Sequence, residues 1–119
     1  MYNLLVTAAE GAWDISAYEY DRTRFLEHTT DSIKAKFSNL DANAQEELKS
    51  LTTLFTYEGD DEVVRVGYIR RIKERGRSIL VEYEFDDSIP AFNFSKLKSL
   101  LTKLDIGRWE MSRTHWAVK

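Results

Sequence analysis

The sequence predicts an α+β domain: a curved, mostly antiparallel sheet or small open barrel of about six strands, with two helical regions. Three observations predict it. Residues 63–85 alternate apolar and polar side chains at period two on both sides of a turn. Residues 31–51 and 97–104 carry apolar side chains at helical spacing. The first and last stretches, 2–8 and 109–118, both read as strands, so an N-terminal strand paired with a C-terminal one would close the sheet.

Residues 2–8 (YNLLVTA) are apolar and nearly continuous, the pattern of a central strand covered on both faces. Glu10-Gly11 ends it. Trp13, Ile15 and Ala17 then alternate with Asp14, Ser16 and Tyr18, which predicts a second extended segment before Phe25, returning antiparallel to the first. Thr29-Thr30-Asp31 is a helix start ahead of Ile33, Phe37 and Leu40. Asp41 reads as a second N-cap, with Gln45, Glu46 and Glu47 in and beyond the first turn, where negative charge suits the helix dipole. Two short helices with a break near Asn39, or one kinked helix, fit the pattern equally.

Residues 53–57 (TLFTY) form a strand candidate, and 58–62 the turn after it, so 53–85 reads as a three-stranded meander. In the hairpin, Val64, Val66, Tyr68 and Ile72 alternate with Arg65, Gly67, Arg71 and Lys73. Across the turn, Ile79, Val81, Tyr83 and Phe85 alternate with Glu82, Glu84 and Asp86. Centring the turn on Arg75 and Gly76 sets Ile72 opposite Ile79, Tyr68 opposite Tyr83 and Val66 opposite Phe85. Arg70 falls on the apolar side, so either its stem lies along the rim or the strand is bulged. Pro90 punctuates the loop that follows. Leu97, Leu100, Leu101 and Leu104 give i, i+3, i+4, i+7, with Asn93 or Ser95 as cap and Gly107 past the end. This helix is expected on the hairpin's apolar face. Residues 109–118 are expected as a final strand.

Size and composition bound the function. The 119 residues make one domain, and 43% hydrophobic with 13% aromatic content builds a real core. No run of 18 apolar residues and no signal-peptide pattern occurs, so the cytoplasm is the expected compartment. The chain has no cysteine, which excludes disulfides, thiolate metal sites and a cysteine nucleophile. A net charge of −3 gives no overall attraction to nucleic acid, though a local patch still could. The pattern stops at Lys119 in mid-strand, which suggests a domain of a longer protein, an intact short protein being the alternative.

No phosphate-binding loop, dinucleotide fingerprint or metalloprotease motif is present, and no cofactor is implied. His28 and His115 lack a visible nucleophile and orienting partner, so a surface or packing role is favoured. Glu58, Asp60, Asp61 and Glu62 lack the spacing of a calcium loop and read as a solvated turn. The sharper signal is basic. Arg65, Arg70, Arg71, Lys73, Arg75 and Arg77 crowd the hairpin, and Arg71, Lys73, Arg75 and Arg77 are the candidate phosphate contacts. Acidic neighbours Glu74, Glu82, Glu84 and Asp86 partly neutralise them. The three tryptophans carry the other signal. A final strand apolar on both faces needs cover on both, so Trp109 or Trp116 is expected to be partly exposed as an interface, with Arg113 and His115 at its polar rim.

The opening MYNLLVTAAEGAWD, the central LFTYEG followed by VRVGYIRRI, and the ending LDIGRWEMSRTHWAVK resemble the N-terminal module of certain bacterial Toll/interleukin receptor (TIR) domain proteins. The resemblance spans nearly the whole chain, and IGRWEMSRTHWAVK is its most specific part. It implies an accessory module, for sensing or assembly, in an antiphage-defence protein whose TIR domain follows. Any NAD cleavage would belong to that TIR domain, and no NAD-related residue carries over. The leading expectation is a non-enzymatic interaction or sensing module docking a downstream domain or protein partner. Nucleic-acid binding through the hairpin is the alternative.

Overall fold

A computed structural model describes residues 1–59, 62–107 and 109–119. Its seven strands are β1 (Asn3–Thr7), β2 (Ala17–Asp21), β3 (Thr53–Tyr57), β4 (Val63–Arg75), β5 (Ser78–Phe85), β6 (Phe92–Asn93) and β7 (His115–Val118). The two α-helices are α1 (Asp31–Phe37) and α2 (Ala42–Ser50). Six strands run in the order β2-β5-β4-β3-β1-β7, with β6 paired to the start of β4. The sheet curls into an open half-barrel, so the α+β reading holds.

β1 lies between β3 and β7, and all five of its residues are buried. The pairing with β7 is antiparallel, joining the two ends of the chain as the sequence predicts. The pairing with β3 is parallel, and residues 8–52 form the crossover that such a pair requires. Leu5 faces the inside of the curl with Phe55 and Trp116, while Leu4 and Val6 face outward with Val64 and Ala117. Polar Asn3 is tolerated inside because its amide donates to the Leu48 carbonyl (3.0 Å) and accepts from Trp116 Nε1 (3.0 Å).

The helices end where the sequence places their caps. The Asp41 carboxylate accepts from Ala44 N–H at 2.8 Å, and Leu40 breaks the path with φ of 50°. Phe37, Leu40, Ala44 and Leu48 close the inner core.

Four elements differ from the sequence reading. The hairpin loop is Gly76-Arg77, not Arg75-Gly76, because a two-residue loop with glycine leading takes its positive φ (62° here) at the first position. Ile72 therefore faces Val81, and a bulge between Ile69 and Arg71 settles the Arg70 question. The bulge switches the face of everything before it. Ile69, not Tyr68, pairs with Tyr83 and enters the core, while Val66 and Tyr68 turn outward. Second, β2 pairs with β5 rather than β1. It still reaches β1 across the curl: Tyr20 Oη donates to the Val6 carbonyl at 2.9 Å.

Third, the 97–104 helix is a 3-10 helix over Phe94–Leu100. Its three-residue period brings Phe94 and Leu97 inward together, while Leu100, at the end of the helix, is 41% exposed. The β6 tether at Val63–Val64 lays it on the outer face of the sheet, opposite the face that the hairpin's apolar residues occupy. Fourth, residues 109–118 are not one strand. Glu110–Ser112 is a 3-10 turn in which Ser112 Oγ donates to the Trp109 carbonyl (2.6 Å), and only His115–Val118 is extended. Side chains that bond their own backbone compete with strand pairing, and here they win.

Candidate interaction site

Among the described residues, the outer face of the sheet is covered by a 3-10 helix, a short 3-10 turn and the loops between them. Between the 94–106 segment and the 109–112 turn runs a groove of about 710 Å³, lined by Phe94, Leu101, Ile106, Trp109 and Met111, with Gly59 at one end. Trp109 stands at its edge, 72% exposed. The turn that carries Trp109 is fixed from below. Glu110 is buried, and its carboxylate takes Gly107 N–H (3.0 Å), Lys119 Nζ (3.0 Å) and His115 Nε2 (3.2 Å). His115 Nδ1 lies 2.6 Å from the Arg113 carbonyl. Both ring nitrogens thus lie within hydrogen-bond reach of an oxygen. Burial alone would push the Glu110 carboxyl up. The bonds from His115, Gly107 and Lys119 outweigh it and hold the group below the usual carboxylate range.

The residues singled out in the sequence separate. Trp109 lines the groove. Trp116, expected as its equal, is fully buried: it packs on Phe25 at 4.5 Å between ring centres and donates to Asn3. His115 is also buried and forms no rim. Arg113 is exposed and lies 3.6 Å from Glu27. Glu110 and Lys119, which organise the turn, carried no sequence signal, since nothing in their spacing marks a buried ion pair.

The basic candidates lie on the far part of the hairpin, which runs eight residues past the last β3–β4 pair. Arg71 is engaged by Glu82 at 3.7 Å, and Arg22 takes Glu74. Lys73, Arg75 and Arg77 are exposed and make no ion pair among the described residues. At the opposite end a cleft of about 700 Å³ opens where β3 and β4 diverge, edged by Glu10, Asp14, Glu58 and Glu62 against Arg65. Asp60 and Asp61 of the acidic turn lie outside the described residues. Among the described residues no group of three histidines or carboxylates is placed to hold a metal ion, and no helix is long and apolar enough to cross a membrane. No protein-family model matches the chain, nor does any curated protein or solved structure.

Proposed function

We propose that the domain is a non-enzymatic interaction module whose contact surface is the Trp109 groove. The observation that carries this is the pairing of an exposed tryptophan with an open apolar groove on a turn anchored by a buried carboxylate. An aromatic anchor beside a pocket is the usual centre of a binding surface. The occupant that fits is an apolar side chain of a protein partner. The resemblance to the TIR-associated module supports the same reading, with a downstream domain or a second protein of a cytoplasmic bacterial defence system as that partner. Selection of random displayed peptides on the domain tests it. Enriched peptides should carry a large apolar residue and lose at least about tenfold in affinity on Trp109→Ala, the loss of one good anchor. Binders indifferent to Trp109→Ala would refute it.

A second reading keeps the hairpin as a nucleic-acid contact, supported by the exposed Lys73, Arg75 and Arg77, which make no ion pair among the described residues. Binding would then fall steeply with salt, and charge reversal at Arg75 and Arg77 would weaken it for all sequences alike. No mobility shift at low salt removes this reading.

A further inference from the structure

The Trp109 groove restricts the backbone of what can enter it. Among the described residues, none that lines it belongs to a strand. Its walls commit their main-chain groups internally. On one side the Leu101 carbonyl accepts from Ile106 N–H at 2.9 Å, and the Thr102 carbonyl from Asp105 N–H at 3.2 Å. On the other the Met111 carbonyl accepts from Gly59 N–H at 3.0 Å. The Trp109 carbonyl takes the Ser112 hydroxyl at 2.6 Å, and Gly107 N–H is held by Glu110. An extended peptide laid in the groove would therefore find no ladder to join. Its own N–H and C=O groups would lose water and gain no partners. A helix arrives with its main-chain bonds already made and presents side chains alone.

The charge of the groove has one sign. Among the described residues that line it, Lys98 is the one ionic side chain, and no carboxylate is present. Lys96 and Lys103 stand exposed on the same 94–106 segment, against Asp105 alone. The other carboxylates of the neighbourhood are turned elsewhere or compensated. Glu58 and Glu62 line the cleft between β3 and β4, and Glu110 is met by Lys119 beneath the turn. The floor is apolar, with Phe94, Leu101, Ile106 and Met111. At about 710 Å³ the groove matches the size of a site for a drug-sized ligand, more than one side chain fills.

We propose that the occupant of the Trp109 groove is an amphipathic α-helix of a protein partner, with two or more apolar residues at helical spacing and carboxylates along the flank that meets the 94–106 lysines. The proposal rests on reading the groove as the contact surface. The apolar stripe supplies the affinity, with Trp109 as its anchor. The lysines select the acidic flank and speed the encounter.

Two displayed libraries compete for the domain. In one, peptides about 16 residues long carry apolar residues at i, i+3, i+4 and i+7, with flanks drawn from Glu, Gln and Lys. In the other, proline at every third position keeps the peptide extended. The helical library should win, with Glu enriched over Lys. The winning peptides should gain helicity on binding and lose at least about tenfold in affinity when a central residue becomes proline. Their binding should weaken with salt, and Lys96→Glu, Lys98→Glu and Lys103→Glu together should cost about tenfold at low salt. Victory of the proline library, flanks rich in Lys or without preference, or no enrichment at all would overturn the proposal. Binders that need Trp109 but are neither helical nor acidic sink the helix and leave the groove standing. Binders indifferent to Trp109→Ala sink both. Concentration-dependent self-association lost in Trp109→Ala would give the groove to a second copy of the chain and overturn the partner helix.

Discussion

The two faces of the curled sheet are built differently. The inner face is filled by large rings in mutual contact: Trp13, Tyr20, Phe55, Tyr83 and Trp116, capped by two regular helices. Its polar atoms are satisfied from within. Trp13 Nε1 donates to the Thr56 carbonyl at 2.7 Å, and burial raises the tyrosine hydroxyls Tyr20 and Tyr83 above the usual range. The outer face is thinner. Aliphatic side chains of β1, β4 and β7 meet a 3-10 helix and a short turn, which leave a groove between them. Two tryptophans seven residues apart fall on opposite sides of this divide, one at 0% exposure and the other at 72%. Residue type alone therefore does not mark the contact surface; the regularity of what covers each face does.

The largest break in the comparison should come from Trp116→Ala. It empties the centre of the inner core and leaves the side-chain Oδ1 of Asn3 without its donor. Urea unfolding should show a loss of about 3–5 kcal/mol. Glu110→Gln comes next. It keeps the shape of the side chain but leaves the Lys119 ammonium uncompensated under the outer layer, at a cost of about 3 kcal/mol. The same carboxylate sets an acid limit. Its pKa is lower folded than unfolded, so its contribution is complete above the unfolded value near 4.5 and is lost as pH falls through the folded one. Unfolding midpoints measured in increasing acid should converge between wild type and Glu110→Gln.

Gly67→Ala should be intermediate, at about 1–3 kcal/mol in the same urea assay. Gly67 lies where β3, β4 and β5 run side by side, and a Cβ there would come within 2.1 Å of the Glu84 carbonyl oxygen. The smallest effect belongs to Trp109→Ala. It should change stability by less than about 0.5 kcal/mol, because the side chain covers little.

Much of the inner face was legible in the sequence. The continuous apolar run of β1, the meander from β3 to β5, the Asp41 cap and the pairing of the chain ends all follow from local pattern. The register error had two sources: a turn centred one residue early, and a bulge at Arg70 that the sequence raised only as one of two readings. The outer face was not legible. Leu97, Leu100, Leu101 and Leu104 have the spacing of an α-helix, but the segment is tethered through β6 at its start and takes the tighter turn. Alternation in 109–118 hid Glu110, whose burial depends on a lysine nine residues later and a backbone amide three residues earlier. Of the groove, the sequence offered Trp109 alone; its walls come from segments expected elsewhere.

The most direct test follows the three indole N–H signals while a groove-selected peptide is titrated onto the ¹⁵N-labelled domain. The Trp109 signal should shift and saturate with the peptide, while those of Trp13 and Trp116, bonded to the Thr56 carbonyl and to Asn3, stay in place. Shifts at Trp13 or Trp116 with Trp109 unmoved would contradict the assignment of the outer face as the binding surface.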